Sequence, residues 1–210
     1  MRKVSHRICF LLLLVLASQS FGQINCNNDS LKVILEGCYE SDQKIRRQLF
    51  DSVGINSPQA GQYYTKMEEN DELNRKIVSS VLEKCGWLGC SSVGTKASDA
   101  LFYVVQHSEL WMMQKYFPSL KDMASKGEAK MQHAAMMEDR ILMDMGLKQK
   151  YGTQAYRGAE TNGKFIIWPV EEPNKVNLMR RIVGLKGTVD EYANEMGATF
   201  DPNQPVPIRK

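Results

Sequence analysis

Apolar residues recur along this chain with the spacing of helices far more often than with that of strands. At 100° per residue, Leu31, Ile34, Leu35, Cys38, Ile45, Leu49 and Val53 fall on one face and predict a first helix of about five turns. The stretch "VGINSPQAGQ" has the Gly, Asn, Ser and Pro density of a loop. A second helix is predicted from about Asp71 to Lys84, with Asn70 or Asp71 as cap and a stop at Gly86. A third carries Ala97, Ala100, Leu101, Val104, Val105 and Ser108 at i, i+3, i+4 spacing. A fourth runs from Leu110 towards Lys126, kinked or restarted at Pro118, and a fifth from about Glu128 to Met145, ended by Gly146. "TQAYR" and "KFIIWPV" flank "TNG" and predict a small β-hairpin. Short helices from Asn174 to Val183 and Thr188 to Met196 follow, then an extended tail over 199–210. The pattern describes a mainly α, single-domain multi-helix array with a small β-hairpin over residues 23–198.

The first residues change the electrostatic picture. Arg2, Lys3 and Arg7 precede the apolar run "ICFLLLLVLA", and the small residues Ser20 and Gly22 suit a cut before Gln23, so residues 1–22 read as a signal peptide. The run is short for a membrane span, although a retained signal anchor is the alternative. This leader holds three of the 27 basic groups and none of the 24 acidic ones, so the rest is close to neutral. Nucleic-acid binding rests on dense positive charge, so no nucleic-acid partner is expected. A secreted or periplasmic protein follows, free of the membrane once the signal is removed.

Cys9 leaves with the leader, and Cys26, Cys38, Cys85 and Cys90 remain for disulfides in an oxidising compartment. The favoured pairing is Cys26–Cys38 with Cys85–Cys90, because the glycines of "CGWLGC" allow a short loop to close. Crossed bridges tying the first helix to the second, or a redox pair, are the alternatives. The latter lacks C-x-x-C spacing.

Polar groups on apolar stripes carry the chemical information, because burying them is costly unless they are paired. Asp42 lies within the stripe of the first helix, with Arg46 one turn later as an ion-pair partner. Asn74 falls between Ile77, Val78 and Val81, and His107 flanks the third stripe. On the fifth helix Glu138 is expected at the centre of the apolar face, Asp139 on its edge and Arg140 pointing away, with His133 solvated on the polar side. These groups suggest either a polar-floored pocket between helices or a set of purely structural bonds. With only His107 and His133 beyond the leader and no H-x-x-x-H or E-x-x-H pair, no metal or other cofactor is expected. His107 with Asp139 or Asp42 could do acid–base work. No G-x-S-x-G nucleophile motif and no glycine-rich phosphate loop is present. The 12 methionines, at helical spacing, read as gap-filling core.

The segments "SDQKIRR", "KCGW", "VGTKASDALFYVVQHS", "MMEDRILMDMGLKQKYGTQ" and "VNLMRRIVGLKGTVDEY" together resemble an uncharacterised bacterial domain family of unknown function. Its pattern runs D-Q-x-x-R, G-W, Q-H, D-R, Q-x-Y-G-T-Q and an Arg before V-G-L. Here it falls on Asp42, Gln43, Arg46, Trp87, Gln106, His107, Asp139, Arg140, Gln149, Tyr151, Thr153, Gln154 and Arg180. Leu88, and then Cys90, stand where the family has a proline after G-W, and Ser108 replaces a small apolar residue. The resemblance supplies no activity, but implies that these polar residues form one constellation, with "QKYGTQ" folding back so that Gln149, Tyr151 or Gln154 meets His107, Asp139 and Arg46.

Three functional readings follow. The first is a domain holding an unknown polar small molecule or peptide through Arg46, Gln106, His107, Arg140, Gln149, Tyr151, Thr153, Gln154 and Arg180. The second is a hydrolase-like enzyme using His107 with Asp139 or Asp42, and the third a structural or interaction module with a buried polar network.

Overall fold

The computed structural model describes residues 26–158 and 161–207; residues 1–22, expected from sequence to be a signal peptide, lie outside them. Helix α1 (Asn28–Arg47) starts where the Asn27 side chain accepts the Asp29 and Ser30 N–H groups. It continues into a π-helical segment, Gln48–Val53, closed by Gly54 at φ 83°. Helix α2 (Ala60–Cys85) is longer than its apolar pattern, because its first turns are mostly exposed and polar and carry no stripe. Buried side chains resume at Asn74, Val78 and Val81. After the single turn α3 (Cys90–Val93), helix α4 (Thr95–Gln106) contacts α1, α2, α3, α5 and α6 and is buried along most of its length. Helix α5 (Leu110–Ser125) runs through Pro118 and packs on α6 (Met131–Asp144). One large apolar cluster, including Leu35, Val81, Leu101, Met112 and Met137, joins these helices.

The carboxy-terminal part is a small sheet with two short helices. Strands β1 (Ala155–Tyr156) and β2 (Phe165–Ile167) form the antiparallel hairpin, with Ala155 opposite Ile167. Helices α7 (Val176–Ile182) and α8 (Val189–Glu195) follow, the latter with a Thr188/Glu191 capping box. Strand β3 (Ala198–Thr199) then pairs parallel to β2, making a three-stranded sheet. The array is thus mainly α, as the periodicity indicates. No helix among the described residues is long and apolar enough to cross a membrane.

The disulfide pairing differs from the favoured one: Cys26 bonds Cys85, with Cα atoms 5.7 Å apart, while Cys38 and Cys90 are free thiols. Most of the chain between Cys26 and Cys38 is helical, and at 1.5 Å rise per residue this holds them roughly 18 Å apart. That exceeds disulfide reach. Cys38 instead faces the core, where burial pushes its thiol up to about 11. Cys90 sits against Glu128.

His133 is also not solvated. It is buried, its ring stacked on Phe102 at 3.9 Å, with the edge of Tyr103 beside it. Asp99 lies 3.5 Å from its Nδ1 but is engaged by Lys130 at 2.5 Å. Burial, aided by the Lys130 charge, pushes the imidazole down to about 3. Below the ordinary histidine value of 6.5 the unfolded chain therefore binds a proton that the folded chain refuses. The His133 contribution to folding stability should fall as pH drops from 6.5 towards 3, so across that range in urea melts a His133→Phe variant should gain stability relative to the parent.

Candidate functional site

The polar run after α6 folds into a loop gripped from two sides. Asp139, fully buried, accepts the Lys150 N–H at 2.7 Å and the Tyr151 N–H at 3.1 Å on one oxygen. The other oxygen takes the Thr153 N–H at 3.0 Å and hydroxyl at 2.9 Å. Burial pushes this carboxyl up to about 6, against those four bonds, which favour its charged form. On the opposite side Arg180, 1% exposed, donates to the carbonyls of Tyr151 (2.9 Å), Lys186 (3.0 Å) and Gly187 (3.2 Å) and lies over the Tyr192 ring. Asp139 thus satisfies three of the loop's N–H groups and Arg180 its Tyr151 carbonyl, as backbone buried away from water requires.

Gln149 closes the loop like a strand neighbour. Its amide donates to the Gln154 and Trp168 carbonyls and accepts the Gln154 N–H. Gly152 sits at φ 65°, and a Cβ there would lie 2.6 Å from Val189 Cγ2, so only glycine fits. The face of α6 is turned by one position from its expected setting. Asp139 faces this loop, whereas Glu138 is partly exposed and pairs with Lys150 and the Tyr151 hydroxyl. The loop packs a second side of α6 through Ala135 and Tyr151, widening the buried face beyond the stripe that meets α5.

A second cluster sits between α1, α2 and the end of α4. Asp42, 1% exposed, accepts Arg46 Nη1 at 2.8 Å and Gln43 Nε2 at 2.8 Å, and lies 3.1 Å from His107 Nδ1. Arg46 makes a two-pronged pair with Asp71 as well, at 2.9 and 2.8 Å. Burial pushes the Asp42 carboxyl up, but His107, Arg46 and Gln43 outweigh it and hold it below the usual range. His107 is pushed down by burial, which outweighs the opposing hydrogen bond to Asp42; the Arg46 charge acts with burial, and the Asp42 and Asp71 charges act against it. A carboxylate cannot donate, so His107 carries its proton on Nδ1 and presents a lone pair on Nε2.

The two clusters meet at a cleft. An inner cavity of about 190 Å³ is lined by Phe102, Tyr103, Gln106 and His107 from α4 and its end. Met136 and Arg140 of α6, Thr153 and Gln154 of the loop, and Tyr192 of α8 complete most of its wall. Gln106 is buried and points its amide N–H towards the Met136 carbonyl at 3.4 Å, leaving its Oε1 with no hydrogen-bond donor among the described residues. Arg140 and Met196 also line an outer trough of about 820 Å³, with Phe50, Asp51, Ile55, Phe165 and Glu195.

Of the residues singled out from sequence, Gln106, His107, Arg140, Thr153 and Gln154 share the inner cavity. Asp42 and Arg46 stand behind His107, and Asp139, Gln149, Tyr151 and Arg180 belong to the loop clasp; Arg46 does not meet the loop. Asp71, Tyr103 and the outer-trough residues carried no polar-on-stripe signal. Tyr192 closes the last family-like segment and could have been read from it. No group of three or more His, Cys, Asp and Glu side chains among the described residues is arranged to hold a metal ion.

No curated protein and no solved structure shows significant similarity to this chain. A family model does match it over residues 29–201, which takes in every cluster described above. The chain belongs to the family of unknown function DUF6624.

Proposed function

We propose that this protein binds a polar small molecule or a peptide in the cleft between α4, α6, the 149–154 loop and α8. The observation that carries the reading is the inner cavity, where polar Gln106, His107, Arg140, Thr153 and Gln154 converge and a buried Gln106 acceptor lacks a donor. Such a group costs about 1–3 kcal/mol if left unpaired, a cost that a bound donor removes. The loop clasp and the Asp42–Arg46–Asp71 network serve this site by fixing Thr153, Gln154 and His107 in place. Work outside the cytoplasm fits the Cys26–Cys85 bond and the amino-terminal apolar run.

The test is a titration of the chain with polar metabolites and short peptides, followed on the His107 ring resonances. At least one compound class should shift them, and no shift from any overturns the reading. A second reading, hydrolase-like acid–base catalysis, is favoured by the 3.1 Å contact of His107 with Asp42, which leaves Nε2 as a proton acceptor at the cleft. It requires that a folded His107→Ala variant lose all turnover of a compound that the titration identifies.

A further inference from the structure

Resting on the cleft reading, we infer that the outer trough is the ligand's way into the inner cavity and that Arg157 and Asn56 form a latch across it. The trough is a seam between two parts of the chain. One wall is the connection between α1 and α2, with Phe50 and Ile55; the other carries Phe165 of β2 and Met196 at the end of α8. No residue from Phe50 to Gln59 belongs to an apolar cluster, so apolar packing does not hold this connection against the sheet. Phe50 and Met196, on opposite walls, are 56% and 43% exposed, apolar groups that an occupant of the trough would cover. The trough meets the inner cavity at Arg140 and Met196, which line both.

Arg157 reaches across this seam. Its Nη1 donates to Asn56 Oδ1 at 3.2 Å, and its guanidinium lies over the Phe165 ring, 5.2 Å from the ring centre. Asn56 and Phe165 each line the trough, so the contact ties one rim to the other.

The strength of that contact decides what it can do. Both side chains are exposed and the acceptor is a neutral amide, which puts the bond at the weak end for a charged donor. Such a bond is closed most of the time yet opens without an effector, so it slows passage without sealing the site. The connection is the side that can give. Gly54 stands at φ 83° where the π-helical segment ends, and the Ser57 N–H returns to the Gly54 carbonyl at 3.1 Å, so the turn can swing as one piece.

The experiment follows N-phenyl-1-naphthylamine, a neutral apolar dye that brightens out of water, as it binds the full chain in stopped-flow fluorescence. Phe50→Ala should weaken binding, which places the dye in the trough. Arg157→Ala and Asn56→Ala, both at exposed sites, should leave the melting temperature unchanged. Each should raise the association and dissociation rates together by roughly threefold to tenfold, the equivalent of about 0.7–1.4 kcal/mol, with little change in Kd. The double variant should be no faster than either single one, since both remove the same bond. Unchanged rates, additive effects, a weaker Kd at an unchanged association rate, or no dye binding each overturns the inference. If compounds move His107 while the rates do not respond, only the latch falls; if the rates respond while no compound moves His107, the latch holds and the cleft reading falls.

Discussion

Replacing Asp139 with alanine will cost the protein at least about 3 kcal/mol, the largest loss expected from any single side chain here. The substitution strands three backbone N–H groups and the Thr153 hydroxyl, all of which now converge on one buried carboxylate. Each stranded donor costs about 1–3 kcal/mol unless water enters the vacated space. Asp139→Asn should be nearly as damaging, because it keeps one acceptor oxygen and turns a new N–H towards groups that are themselves donors. Urea denaturation checks this directly: the midpoint should fall with an unchanged slope, and a loss below about 1 kcal/mol would show that the loop is held by other means. Since Thr153 and Gln154 line the cleft, the same variants should also lose ligand binding even where they remain folded.

Breaking the Cys26–Cys85 bond should be of similar size. The bridge closes a loop of 59 residues, which chain entropy values at about 4 kcal/mol. It pins the start of α1 to the end of α2, so the loss should appear first as fraying of the α1 amino terminus, where Leu31 and Leu35 enter the core. Urea melts with and without reductant measure it, with Cys26→Ser as the control that reductant should leave unaffected. Thiol labelling of the native protein should modify Cys90 readily, and Cys38 only on unfolding. A bridge found instead between Cys26 and Cys38 would contradict the packing of Cys38 into the core.

What could be read from sequence tracks how strongly each element announces its buried face. Helices α1, α4, α5 and α6 carry apolar stripes and stand close to where periodicity puts them. The first half of α2 carries none, since it is mostly exposed, and the two-residue strand β3 is too short to show alternation. Glu138 and Asp139 exchange their expected roles because α6 buries two sides, one in the main apolar cluster and one against the loop. His133 sits on what looks like a polar face until Phe102 stacks on it. The family-like motif residues gather around one cleft, but in two different positions. Asp139, Gln149 and Arg180 build the loop, while Gln106, His107, Thr153 and Gln154 face the cleft. Sequence spacing cannot separate a residue that shapes a wall from one that lines it, because both need the same polar side chains in the same segments.

The central claim is that His107 stands at a usable cleft with Asp42 behind it. Its most direct test is the imidazole nitrogen spectrum of His107, recorded near neutral pH before and during the ligand titration. The account predicts a neutral ring protonated on Nδ1 whose Nε2 signal moves when a ligand binds. A ring protonated on Nε2, or an Nε2 signal that no ligand moves, would contradict it and leave His107 as a fastening between α1 and α4.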